Sequence, residues 1–165
     1  MKVKNLTALS LSVALAMMLS FVESQIPPLA TVPGVKIGLS NIVTVFLIYT
    51  LGPIPAASVA IVRILLSTLL FSSPISLIYS FSGAILSFIF MIIFKKLGFF
   101  SIIGVSVVGA VMHNAGQIIA AVFILGTAEI VYYLPILIIS GVLSGIAVGA
   151  AGGALTKRLE KILNL

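Results

Sequence analysis

The chain has 165 residues, of which 61% are hydrophobic and 7% are charged, and its mean hydropathy is +1.38. This composition excludes an ordinary soluble domain and predicts an all-α integral membrane protein with a single domain over residues 1–165. The net charge of +6 does not indicate a nucleic-acid partner, because the basic residues lie at the ends of apolar runs rather than on a polar face.

The groups that most enzymes use are scarce in this sequence. It has no cysteine and no aspartate, and its three acids, Glu23, Glu129 and Glu160, are far apart along the chain. Thiol chemistry, paired carboxylates and magnesium-held diphosphates are therefore not expected, and no glycine-rich phosphate loop ending in Lys-Ser/Thr is present. With one histidine and no nearby carboxylate, a metal site is not expected either. We predict a protein that is not an enzyme and has no cofactor.

Six apolar runs follow one another along the chain. A membrane span needs about 20 residues, so the second run is short and the third is marginal. These two runs could form one tight helical hairpin or be partly re-entrant. The first run follows a basic start like that of a signal peptide, but its apolar stretch continues too far for one. The sequence therefore predicts a bundle of six transmembrane helices over residues 6–22, 37–51, 55–71, 75–94, 102–125 and 130–155.

The basic residues predict the orientation of this bundle. With six spans, both termini lie on the same side of the membrane, together with seven of the nine basic residues. Positive residues concentrate on the cytoplasmic side, so we predict cytoplasmic termini in a multi-pass protein of a prokaryotic plasma membrane. The seven residues are Lys2, Lys4, Lys95, Lys96, Lys157, Arg158 and Lys161.

The longest external segment is predicted at residues 23–36, ESQIPPLATVPGVK. It begins at Glu23, its prolines, including Pro27 and Pro33, stiffen it, and Gly34 permits a turn. Such a loop could close over the outer mouth of the bundle as a lid. A plain connector between two spans is an equally open interpretation.

Three polar side chains interrupt the fifth run, SIIGVSVVGAVMHNAGQIIAAVFIL. His113, Asn114 and Gln117 share one broad face of a helix, and polar groups at this depth are costly unless they find partners or line a cavity. They are candidates either for a ligand site or for a hydrogen-bonded contact between helices.

Arg63, near the centre of the third run, carries a charge into the membrane at a cost of at least about 2.5–3.5 kcal/mol. We expect no acid at its depth, so it must bind carbonyls, amides, water or an anionic ligand. Asn41 and Lys36 are placed above it, toward the exterior. Together these residues predict a cup for an amphipathic ligand with an anionic or strongly hydrogen-bonding head.

Small residues recur every fourth position in two runs. Gly141, Gly145, Gly149 and Gly153 form a glycine ladder in the sixth, which could pack within the bundle or serve a homodimer. The second stripe, in the first run, consists of Ala8, Ser12 and Ala16 and could dock another subunit or pack internally.

Several stretches carry a resemblance to a known family: ESQIPP, VPGVKIGLSNIVTVFLIY, RILLSTLLF, SIIGVSVVGAVMHNAGQ and YYLPILIISGVLSG. They resemble heptaprenyl diphosphate synthase component I, also called Gx transporters. The resemblance implies a relation to the substrate-binding S subunits of energy-coupling-factor (ECF) transporters. It implies six helices, a capping external loop and a first helix that docks a transmembrane coupling subunit associated with an ATPase pair.

Two functions follow as expectations. The first is the substrate-binding subunit of an ECF-type importer, for a vitamin-like or isoprenoid/quinone-precursor ligand held by Arg63, His113, Asn114, Gln117 and Asn41. The alternative is a non-catalytic membrane accessory of heptaprenyl diphosphate synthesis. A self-sufficient carrier is less favoured, because no repeat and no mid-depth acid are evident.

Overall fold

The computed structural model describes residues 3–26 and 38–163, giving only the backbone for residues 3–5, 160, 162 and 163. In these two ranges every regular element is helical, which confirms the predicted all-α class. The helices are α1 (Val3–Gln25), α2 (Asn41–Thr50), α3 (Pro53–Phe71), α4 (Pro74–Leu97), α5 (Ile102–Leu125) and α6 (Leu134–Leu163), and a 3₁₀ helix (Ala128–Tyr133) precedes α6.

The six predicted spans correspond to these six helices, although several boundaries differ. The predicted fifth span matches α5 at both ends, because Ser101 caps its start by accepting a hydrogen bond from the Gly104 N–H and Gly126 ends it at φ 67°. The prediction that residue 23 begins a loop was wrong, because α1 continues to Gln25. The predicted lid residues Pro27, Pro33 and Gly34 lie outside the described residues.

Five of these helices are long and apolar enough to cross a membrane, as expected for a multi-pass protein. The exception is α2, with ten residues. At about 1.5 Å per residue it extends about 15 Å, half of a hydrocarbon core about 30 Å thick. The predicted second span, residues 37–51, was therefore too long.

Contacts at its two ends show which half of the bundle α2 occupies. Just before its start, the Ser40 hydroxyl accepts a hydrogen bond of 2.8 Å from Nη1 of Arg63, at the middle of α3. Near its end, the Ile48 carbonyl accepts from Nζ of Lys95, in the last turn of α4. The helix thus begins at mid-depth and runs to the end of the bundle at which α4 finishes.

The opposite end of the bundle is where α1 and α3 finish side by side. The rings of Phe21 and Phe71, near the ends of these two helices, lie 5.3 Å apart. Short connections at residues 72–73 and 98–101 then reverse the chain into α4 and α5. We call this end, where α1, α3 and α5 finish, the predicted outer end, because its orientation in the membrane follows from the charge distribution alone.

Glycines set the close approach of α5 to both of its neighbours. A Cβ atom added at Gly145 would lie 2.6 Å from Cα of Val107, and one at Gly116 would lie 2.6 Å from the Ser82 carbonyl oxygen. The glycine ladder is therefore an α5–α6 contact within the bundle for three of its members. The fourth, Gly153, would make only an ordinary contact of 3.7 Å.

The second small-residue stripe is divided between the core and the surface. Ala16 is 1% exposed and packs in the apolar core around α2, whereas Ala8 is exposed and Ser12 is partly buried. The side chain of Ser12 donates to the Ala8 carbonyl of its own helix. Only the Ala8–Ser12 part of the stripe is open to a partner, and the docking role stays a prediction.

Candidate ligand-binding cavity

A cavity of about 110 Å³ lies at the centre of the bundle, with wall residues from all six helices. A water molecule needs roughly 10–15 Å³ of such space, so the cavity accommodates several waters or a small polar head group. Its polar wall comprises Ser20, Glu23, Ser24, Ser40, Asn41, Arg63, Ser67, Thr68, Ser72, Ser80, Ser87, Ser106, His113, Asn114, Gln117 and Ser144.

Arg63 is the basic residue of this wall. Its Nη1 donates to the Ser40 hydroxyl, while its Nε is buried without a hydrogen-bond partner among the described residues. The hydroxyl of Ser20 is the second such buried atom in the described chain, and it lines the same cavity. Because an unpaired buried polar group costs free energy, two such atoms on residues that line one cavity favour the binding of a polar molecule there.

The sequence interpretation placed Glu23 at the start of the external loop, whereas it lies in the last turn of α1. Glu23 lines the same cavity as Arg63. The carboxylate also accepts a hydrogen bond from the backbone N–H of Gly38. The physical reason is that α1 continues past the predicted boundary and runs alongside α3, which brings Glu23 inside the bundle rather than into the loop.

The three polar residues of α5 meet in the cavity wall with different attachments. Asn114 is buried, and its Nδ2 donates a hydrogen bond of 2.6 Å to the Leu137 carbonyl of α6. His113 packs over Gly83 of α4, where an added Cβ would lie 2.9 Å from Cε1 and Nε2 of the ring. Gln117, one turn further on, is partly buried. Asn114 therefore joins two helices and also borders the cavity, while a ligand-binding role for this group stays a prediction.

Five of the six predicted ligand-binding residues line this one cavity: Arg63, His113, Asn114, Gln117 and Asn41. The sixth, Lys36, lies outside the described residues. Whether any of them binds a ligand stays a prediction, because the structure brings them together without showing what they hold.

The sequence interpretation missed the hydroxyl groups of the wall. Nine serines and Thr68 border the cavity, from α1 to α6. A usable signal was present, because Ser20 and Ser24 are four residues apart, and Ser80 and Ser87 seven apart, and both spacings place side chains on one helix face. Serine is common enough in membrane helices that only the folded bundle distinguishes these residues from packing ones.

Metal binding finds no support in the described residues, among which no group of three or more His, Cys, Asp or Glu side chains lies together. The cavity wall instead offers hydroxyl, amide, imidazole and guanidinium groups beside apolar ones such as Val45, Phe71 and Met91. This combination suits the reversible binding of a molecule with a polar head and an apolar body.

The family model for heptaprenyl diphosphate synthase component I matches residues 12–155, which include nearly all of the described helices. The chain belongs to this family. No curated protein and no solved structure matches the chain. Membership agrees with the prediction that the chain is not itself an enzyme, since the family is described as one component of a synthase.

Proposed function

We propose that this protein is a non-catalytic membrane subunit of the heptaprenyl diphosphate synthase system that binds a small amphipathic molecule in its central cavity. The observation that carries the proposal is the pair of unpartnered buried atoms, Arg63 Nε and Ser20 Oγ, in the wall of one cavity. The family description supports the choice of system, because it names a component of that synthase.

We propose the following roles for the residues of the cavity wall. The Nε–H of Arg63 donates to an acceptor on the ligand head, while Asn41, Gln117 and His113 orient that head by further hydrogen bonds. Asn114 keeps its amide nitrogen on the Leu137 carbonyl and offers its oxygen to the ligand. The apolar body lies against the hydrophobic part of the wall.

The ligand retained through purification tests this role. Arg63→Ala removes a charged donor, and hydrogen bonds to charged groups contribute about 1.5–3 kcal/mol, so retention should fall about tenfold or more. Arg158→Ala is the matched control, because Arg158 is exposed near the end of α6 and lies outside the cavity. Mass spectrometry of the extracted small molecules measures the loss, and equal retention in the two variants would refute the site.

A second candidate function is the substrate-binding subunit of an ECF-type importer in the same membrane. The exposed side of α1 supports it, because this helix lies at the edge of the bundle, packs mainly on α3, and leaves Leu11 and Met18 70% and 66% exposed. In this role the Ala8–Ser12 part of α1 docks a transmembrane coupling subunit, and an ATPase pair supplies the energy.

Co-purification separates the two candidates. Affinity isolation of the protein from its native membrane should recover a soluble prenyl synthase if it is an accessory of that synthase. Recovery of an ATPase pair with a coupling subunit would instead favour the importer. Ala8→Leu combined with Ser12→Leu, which enlarges the exposed side of α1, should abolish only the second kind of complex.

A further inference from the structure

Glu23 contributes a carboxylate to the wall of the cavity that Arg63 also lines. It accepts a hydrogen bond from the N–H of Gly38, two residues before Ser40, whose hydroxyl accepts from Arg63. Glu23 and Arg63 thus approach the same short segment before α2, and both line the cavity. The end of α1, the start of α2 and the middle of α3 are thus joined by polar groups around one positive charge.

The start of α2 adds to this positive region. The helix begins at Asn41, at the level of Arg63, so its N-terminal end lies inside the bundle rather than at a membrane surface. A helix N-terminus carries a partial positive charge, and half-helices that begin at mid-membrane commonly bind anionic groups there. Here the chain supplies the anion itself, through Glu23.

We infer that Glu23 selects the charge of the ligand, so that the cavity takes a head group that is uncharged or zwitterionic and rejects phosphates, diphosphates and carboxylates. This inference rests on the proposed function, namely that the cavity binds a small amphipathic molecule. An anionic head that approached Arg63 would also meet the Glu23 carboxylate, and like charges in such a poorly solvated site repel strongly.

The rest of the wall fits a neutral head. Its hydroxyl groups, together with the amides of Asn41 and Gln117, both donate and accept hydrogen bonds without carrying charge. The Arg63 Nε–H can donate to a carbonyl, hydroxyl or ether oxygen. In the heptaprenyl diphosphate synthase system, such a ligand is an uncharged prenyl or ring compound rather than the diphosphate itself.

The first test identifies the small molecule that the wild-type protein retains through purification. Small molecules extracted from the purified protein should have heads that are uncharged or zwitterionic at neutral pH, as determined by mass spectrometry. A retained compound with a phosphate, diphosphate or other net negative head would overturn the inference while leaving the binding function intact. Equal retention by wild type and Arg63→Ala would instead refute the proposed binding site around Arg63.

The second test needs no ligand and uses inorganic phosphate as the probe. Phosphate bound beside Arg63 should protect it from an arginine-selective dicarbonyl reagent, and peptide mass spectrometry reads the modification of Arg63. Glu23→Gln should be protected at phosphate concentrations at least tenfold lower than wild type. Glu129→Gln, which removes the same charge from an exposed site outside the cavity, should behave like wild type.

Both contrary outcomes of the phosphate test are informative. Equal protection in wild type and Glu23→Gln would show that the carboxylate does not exclude anions. If phosphate protects Arg63 in neither protein, removal of the Glu23 carboxylate does not open the site to anions. Either result overturns the charge selection by Glu23, and neither affects the comparison of Arg63→Ala with Arg158→Ala.

Discussion

At the scale of single residues, Asn114 shows how one polar side chain in a membrane helix serves two purposes. Its amide nitrogen is bound to the Leu137 carbonyl, so it fixes α5 against the first turn of α6. The hydrogen bond to Leu137 also holds the Asn114 side chain in the cavity wall. The sequence placed Asn114 on a polar face, but which neighbour takes its hydrogen bond depends on how α5 and α6 pack.

Asn114→Ala should therefore weaken the fold as well as the site. Hydrogen bonds between membrane helices contribute about 0.6–2 kcal/mol, so we expect the free energy of unfolding to fall by about 1 kcal/mol. Gln117→Ala, which leaves the Leu137 contact in place, should change it much less. Thermal unfolding in detergent measures both variants, and similar losses would contradict the assigned role of the Leu137 hydrogen bond.

At the scale of helices, the close packing of α5 and α6 decides where the polar residues of α5 lie. Three glycines of the ladder bring the two backbones together, and a Cβ at Gly149 would lie 2.7 Å from Cα of Ile103. The sequence shows the four-residue spacing of the glycine ladder, but it does not show that α5 is the helix that packs against it. The same pattern would also fit a homodimer, because a stripe of small residues allows close helix packing but does not specify which helix packs there.

Two members of the ladder provide a matched comparison of this packing. Gly145→Ala would force a methyl group against the Val107 backbone at 2.6 Å, and backbone cannot move aside without separating the helices. We expect a loss of about 1–3 kcal/mol in the free energy of unfolding. Gly153→Ala, with its nearest atom at 3.7 Å, should be neutral. Equal stability of the two variants would argue against the α5–α6 contact.

At the scale of the whole molecule, the charge distribution and the short α2 act together. Seven basic residues are predicted at one end of the bundle, and α2 fills the half of the bundle nearest that end. The cavity is lined by Ser24 and Ser72 near the predicted outer end and by Met91 and Ser106 nearer the other end. We predict its mouth at Ser24 and Ser72, which the predicted topology places toward the exterior.

Thiol labelling in intact cells tests this orientation directly, since the chain has no native cysteine. Glu129→Cys, at the predicted outer end, should react with a membrane-impermeant reagent. Lys161→Cys, near the end of α6, should react only after permeabilisation. The reverse pattern would invert the topology and place the mouth of the cavity on the cytoplasmic side.

The sequence by itself determined the six α-helices, the limits of α5, the polar residues that interrupt the apolar runs, and the family. These features depend on composition and local periodicity, which are properties of the chain alone. Only the tertiary structure decided that Glu23 belongs to the cavity, that α2 begins at mid-depth beside Arg63, and that serines from every part of the bundle share one wall. The reason is physical, because contacts between distant segments depend on which helix faces meet, and helical periodicity does not specify that choice.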